Sequence, residues 1–293
     1  MNLCDISFVK RLMAKHQTGT KKSFGQNFLI NKEIPEAIAE ASYSYHRSLS
    51  NKKSLVVEIG PGIGCLTYEL AGCYDKVIAI EIDSTLLPIL DETLAEFENV
   101  EIINCDFLKM DIEDFFKSYS EEYDISVCAN LPYYITTPII MALLERARGY
   151  LKSITVMVQK EVADRLCATT KKGDYGAITA SIAYYGEAKK LFDVSPDNFL
   201  PAPKVTSSVV RIELYDKPKY KVNDEEMLFK AIQGAFCQRR KTLLNSLSSY
   251  FGNISKDKLG EVILSLGFGE SIRGEKLDIE DFCKLADKLG EIK

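Results

Sequence analysis

Apolar positions along the chain switch repeatedly between two spacings. Between residues 33 and 47 they recur with helical period, Ile34, Ile38 and Ala41 sharing a face, which predicts an amphipathic helix. Ser54–Ile59 is instead a largely β-branched apolar run ending at Gly60, the pattern of a buried strand. Cys65–Cys73 reads as a helix, Val77–Ile82 as a strand, Ser84–Glu96 as a helix and Val100–Asn104 as a strand. Tyr123–Ala129 is a fourth strand, Pro138–Ala147 a helix, Ser153–Val158 a fifth strand and Lys160–Ala168 a helix. This alternation builds a mostly parallel sheet with helices on both faces. The pattern then changes. Ala188–Val194 and Ser207–Leu214 read as strands joined by a Pro-rich loop with no room for a crossover helix, so they are expected to pair antiparallel. A charged linker, residues 216–224, follows, and beyond it only helical signals remain. The expected architecture is an α/β domain over residues 1–216 and a small all-α domain over residues 217–293.

The strand ends carry the candidate chemistry. Val56–Gly64 places Gly60, Gly62 and Gly64 after the first buried strand. Glycine lets a backbone turn sharply and approach a ligand closely, and open α/β sheets bind ligands beyond the carboxyl ends of their strands. The form is GxGxG, not the GxGxxG of dinucleotide binders. Alone it is equally the mark of a tight turn without a ligand. Glu81 ends the second strand about 20 residues on, where a carboxylate accepts from ribose hydroxyls. Asp106 follows the third, placed to accept from an adenine amino group. Glu81 suits NAD as well as S-adenosylmethionine; Asp106 and the terminal hairpin favour the latter, and with it a Rossmann-like class I methyltransferase sheet. Capping and turn formation are the plain alternatives for both acids.

The fourth strand runs into Asn130-Leu131-Pro132-Tyr133-Tyr134. An exocyclic adenine nitrogen is a poor nucleophile because its lone pair is conjugated with the ring. Two acceptors aimed at its hydrogens favour a pyramidal nitrogen and free that pair. The Asn130 side-chain oxygen and the Leu131 carbonyl are candidates. Pro132 stiffens the turn, and Tyr133 is placed to stack on the base. The sulfonium is already a strong leaving group, so catalysis reduces to positioning and electrostatics, and no shifted general base is needed. The alternative is a turn with a capping Asn and a buried Tyr.

Composition narrows this further. A hydrophobic fraction of 46% is that of an ordinary globular protein, and no apolar run approaches a membrane span. Met1–Thr20 alternates apolar and basic residues and lacks a secretory core, so an amphipathic arm on a cytoplasmic protein is expected. The eight cysteines form no CxxC pair, which points to free thiols, with no disulfide framework and no metal site. The two histidines, His16 and His46, lie outside every motif, against histidine-based catalysis. The net charge of −5 counts mildly against a nucleic-acid partner, but an RNA binder needs only a local basic surface. Lys21 and Lys22, and Arg239, Arg240 and Lys241, are such clusters. Residues Ile232–Tyr250 read as one helix with Ile232, Phe236, Leu243 and Leu247 on its apolar face. Its basic trio then either meets RNA phosphates or makes salt bridges that hold the domains together.

Lys21–Leu29, Glu58–Gly62, Asn130–Tyr133, Val158–Val162, Tyr175-Gly176, Phe199 with Pro203–Val205, Phe236–Leu243 and Arg273–Glu275 occur in an order that resembles the KsgA/RsmA family of small-subunit rRNA adenine dimethyltransferases, over nearly the whole chain. Ala202 interrupts a proline run that is usually longer in that family. The resemblance implies that Asn27, Leu29, Gly60, Gly62, Glu81, Asp106 and Asn130 line an S-adenosylmethionine pocket. It further implies that Phe199 helps hold the target base opposite Tyr133. The family transfers four methyl groups, two to each of two adjacent adenosines near the 3′ end of small-subunit rRNA, late in 30S assembly. A monomer acting on a pre-30S particle is expected. The Erm family, acting on large-subunit rRNA, is the nearest alternative; a transcription-factor relative that only binds and a small-molecule methyltransferase are the others.

Overall fold

A computed structural model describes all residues except 1, 20–24, 50, 51, 171–173, 218, 239 and 293. The chain divides into two compact units, Met1–Ala163 with Ala188–Asp216, and Asp164–Glu187 with Lys217–Lys293. The chain passes into the second unit for the last time after Asp216. The segment Asp164–Glu187, which hydropathy grouped with the first domain, clusters with the C-terminal helices.

In chain order the elements are α1 (Ile6–Lys15), β1 (Phe28–Leu29), α2 (Glu33–Leu49), β2 (Lys53–Ile59), α3 (Cys65–Ala71), β3 (Lys76–Glu81), α4 (Leu87–Thr93), β4 (Val100–Asn104), α5 (Ile112–Tyr119), β5 (Tyr123–Asn130), α6 (Thr136–Arg146), β6 (Leu151–Gln159), α7 (Lys160–Leu166), α8 (Ala177–Tyr185), β7 (Gly186–Val194), β8 (Phe199–Leu200) and β9 (Ser207–Leu214). Then come α9 (Glu225–Phe236), α10 (Leu243–Tyr250), α11 (Lys256–Ser265) and α12 (Ile279–Glu291). No described helix is long and apolar enough to cross a membrane.

One seven-stranded sheet runs β4-β3-β2-β5-β6-β9-β7. Pairings among β2 to β6 are parallel, and β9 returns antiparallel on β6. Lys189 bonds Glu213 while Asp193 bonds Ser208, so β7 and β9 run in opposite directions, as the Pro-rich connection requires. β2 is buried from Ser54 onward because helices cover both faces of a central parallel strand. The chain leaves β2 toward β3 and β4, then crosses to β5 on its other side. The glycine loop therefore opens at the point where strand order reverses.

Two helices escaped the periodicity. α5 is capped by Asp111, which accepts from Asp114 N–H at 3.1 Å, and buries Ile112 and Phe116. α8 is so uniformly apolar that it offers no polar face to read. The N-terminal arm is a helix, α1, capped by Asp5 and buried through Val9, Leu12 and Met13. β1 and β8 form a separate two-stranded ribbon, with Leu29 opposite Phe199.

The single helix expected over 232–250 is two helices. α9 ends at Phe236, and Thr242 starts α10 by accepting from Asn245 N–H. Leu243 N–H donates to Ile272 O at 2.7 Å, outside any helix ladder. Ser246 Oγ donates to Gly234 O at 2.7 Å and accepts from Gln238 N–H, so these two backbone groups at the break keep partners. Arg240 and Lys241 lie in the turn between the helices, exposed; Arg239 lies outside the described residues.

Gly274 follows from the same packing. A Cβ there would lie 2.8 Å from Ala235 O and 2.9 Å from Ala235 Cβ, both fixed on α9. Gly274→Ala must therefore shift the helix or its own turn. A destabilisation of about 1–3 kcal/mol is expected for such overpacking, and denaturant unfolding of the variant measures it.

Candidate active site

The carboxyl ends of β2, β3, β4 and β5 enclose one cleft of about 1100 Å³, its open mouth included. The glycine loop forms its floor. Gly60, Gly62 and Gly64 all have positive φ, at 75°, 62° and 89°. At Gly62 the requirement is also steric: a Cβ would come within 3.1 Å of the Phe28 ring. The Gly62 N–H donates to Glu81 Oε2 at 3.2 Å, and Asp83 N–H donates to Glu81 Oε1 at 2.8 Å. Glu81 is buried, and burial pushes its carboxyl up while those amides pull it down.

Asp106 lines the same cleft. It is also a cap: Oδ1 accepts from Leu108 N–H at 3.1 Å, and Lys109 Nζ lies 3.3 Å from Oδ2. The capping role and the position at the cleft coexist. Asn27 and Leu29, carried by the segment entering β1, line the opposite wall.

Asn130 ends β5 and donates from Nδ2 to Asn27 O at 3.5 Å. That bond uses the amide's donor side and leaves its oxygen as the acceptor toward the cleft; the amide's orientation follows from this network. Pro132 O accepts from Ile135 N–H and Thr136 Oγ, so that carbonyl is already engaged. Tyr133 is half-buried in the cleft wall, and its hydroxyl pairs with Ser207 Oγ at 2.8 Å. Burial raises the phenol.

Phe199 is not brought to the cleft. It is 3% exposed, a residue of β8 packed into the core. Lys21 and Lys22 lie outside the described residues. Neither histidine lines the cleft: His16 meets Glu92 at 2.7 Å, and His46 is buried against Ser126. All eight cysteines are free thiols.

Glu58 is a further acid at the cleft. It is 1% exposed yet lines the cleft, and no hydrogen bond reaches its Oε2. Burial drives its pKa to about 8, the Thr67 hydroxyl holding it down in part and Glu81 adding to the rise. Its signal was visible: an acid in the middle of an otherwise apolar strand. A carboxyl raised in the folded state binds a proton that the unfolded chain has released. Its stabilising contribution is full below about pH 4.5 and is lost as pH rises toward 8. Glu58→Gln should remove that slope, on the order of 3 kcal/mol across the window. Urea unfolding of both proteins at about pH 5 and about pH 8 checks it: the variant gains on the wild type only at the higher pH.

Around the cleft, Gly62 makes room for the Phe28 ring by lacking a Cβ, Glu81 stands buried at the end of β3, and Glu58, with an oxygen that no hydrogen bond reaches, lines the same space.

The family described as ribosomal RNA adenine dimethylase matches residues 17–289. A ribosomal RNA small subunit methyltransferase A of Alkaliphilus oremlandii is 43% identical over 282 residues, 96% of each chain. Its counterpart from Streptococcus thermophilus is 42% identical over 294 residues, 99% of each. Among solved structures, a dimethyladenosine transferase from Plasmodium falciparum superposes with TM-score 0.69 at 25% identity, over 88% of this chain and 95% of that one. The 23S rRNA methyltransferase ErmE shares the fold, with TM-score 0.65 at 24% identity over 90% of this chain and 100% of that one. A match this long, to a chain with a class I methyltransferase sheet, settles the family: the protein belongs to the ribosomal RNA adenine dimethylases.

Proposed function

We propose that this protein transfers methyl groups from S-adenosylmethionine to N6 of two adjacent adenosines near the 3′ end of small-subunit rRNA, giving N6,N6-dimethyladenosine on a pre-30S particle. The observation that carries the reading is the convergence of the Asn130–Tyr133 turn on the cleft that also holds Gly62, Glu81 and Asp106. Acceptors for an amino group and a ring for a base thus stand beside an adenosyl-binding floor. The small-subunit choice rests on relatives 42–43% identical over nearly the whole chain, which are small-subunit rRNA methyltransferases.

S-adenosylmethionine supplies an electrophilic methyl group on a sulfonium. Glu81 binds its ribose hydroxyls and Asp106 its adenine amino group. Gly60 and Gly62 let the backbone close on it, and Asn27 and Leu29 form the far wall. The Asn130 oxygen and the Leu131 carbonyl accept from the target amino group and orient its lone pair. Tyr133 stacks on the base, its ring angle fixed by the Ser207 bond, and Pro132 holds the turn rigid. Phe199, paired with Leu29 within the ribbon, supports this wall from behind. Arg240 and Lys241 are exposed and enter no described ion pair, which supports phosphate contacts over a salt-bridged lock. Lys21, Lys22 and Arg239 are assigned to RNA with them. The protein acts as a monomer in a bacterial cytoplasm, and its second unit recognises the particle.

The test supplies labelled S-adenosylmethionine with immature small subunits, with large subunits, or with naked rRNA. Label in dimethyladenosine from small subunits alone supports the reading. Label in large-subunit RNA moves the protein to the Erm type. No label despite cofactor binding makes it a binding protein or a small-molecule enzyme.

A further inference from the structure

Two neighbouring tyrosines in the catalytic turn meet different surroundings. Tyr133 is half-buried, its hydroxyl tied to Ser207. Tyr134 is 59% exposed, more than any other large apolar side chain among the described residues. Of the residues lining the cleft, only Tyr134 and Ile82 are large apolar groups left open to solvent. An aromatic ring open at the mouth of a binding cleft is placed to meet what enters it, its face apolar and its hydroxyl wet.

The Tyr134 ring is seated, not loose. Its Cδ1 and Cε1 lie 3.4 Å from the position a Cβ would take on Gly25, and Pro132 Cβ lies 3.7 Å from that position. Gly25 has φ of 59°, a conformation that disfavours a side chain. The ring therefore stands beside the bare backbone of Gly25, and much of its surface is open to solvent at the cleft.

Resting on the adenine reading of the cleft, we propose that Tyr134 is a stacking platform for the nucleotide next to the target adenosine. A base drawn out of its stack into a pocket leaves its neighbour unstacked on one side. That neighbour remains within one backbone step of the cleft mouth, where Tyr134 stands. A ring there replaces the lost stacking partner, and every base offers a π-face to it. Tyr133 and Tyr134 then hold successive nucleotides, one inside the cleft and one at its rim. Because the substrate presents two adjacent adenosines, each occupies the rim position while the other reacts, or yields it to a flanking base. Tyr134 is thus a positioning residue: it sets how well the strand is held and takes no part in the chemistry.

The experiment compares wild type, Tyr134→Ala and Tyr134→Phe. It reads kcat and KM on small subunits, Kd for S-adenosylmethionine by calorimetry, and thermal unfolding. Tyr134→Ala should lower kcat/KM for the particle about tenfold through KM. Cofactor Kd and unfolding should stay at wild-type values, and Tyr134→Phe should restore KM. An alanine variant with wild-type KM overturns the proposal. So does a cofactor Kd raised in the same proportion, which makes Tyr134 a cofactor cover, and so does a phenylalanine variant as weak as alanine. If the wild-type protein methylates no small-subunit adenosine, the adenine reading itself fails, and that result is distinct from any of these.

Discussion

Replacing Asn130 by alanine slows methyl transfer about a hundred- to thousand-fold and leaves the protein folded. The magnitude is that of removing one preorganised polar group from a reacting centre. Asn130 gives its donor side to Asn27 O at 3.5 Å, a long bond whose loss costs little stability. Under the proposed function, what disappears is the acceptor that orients the amino group, which only the chemical step needs. Single-turnover labelling with saturating S-adenosylmethionine separates that step from binding. A variant that slows less than about threefold places the acceptor elsewhere in the turn. A variant that keeps every biological role without transferring methyl groups makes the protein a binding factor.

Gly62→Ala weakens cofactor binding by about tenfold to a hundredfold, the second large effect. The residue sits at φ of 62°, and a Cβ would meet the Phe28 ring at 3.1 Å. A non-glycine residue there carries roughly 1–2 kcal/mol of strain. The larger consequence is displacement: moving either the loop or Phe28 disturbs the wall that Asn27 and Leu29 share, and it moves the N–H that holds Glu81. Calorimetric titration with S-adenosylmethionine measures the change. Wild-type affinity in the variant would show that the ligand does not approach this backbone.

Much of this site is legible in the sequence because strand ends are local features. Gly60, Gly62, Glu81, Asp106 and Asn130 each close or follow a strand that hydropathy marks, and the α/β rule brings such positions to one edge. The structure places all five on the cleft. Phe199 is different: the side its ring faces depends on β8 pairing with β1, about 170 residues away, and no local pattern encodes that. The break between α9 and α10 was hidden because Phe236 and Leu243 keep helical spacing across it. Thr242 and the distant Ile272 carbonyl end the helix. α8 lacked the polar face that periodicity needs. Glu58 was passed over because strand reading rewards its apolar neighbours, while its chemistry appears only once both faces of β2 are covered.

The most direct test of the central claim is made in bacteria that lack their own small-subunit dimethyltransferase. The gene for this chain is supplied intact or with Asn130→Ala, and the 3′ end of the small-subunit rRNA is digested and read by mass spectrometry. The account predicts two adjacent N6,N6-dimethyladenosines with the intact gene and none with the variant. Unmodified adenosines in both, with new dimethyladenosine in large-subunit rRNA, would contradict it.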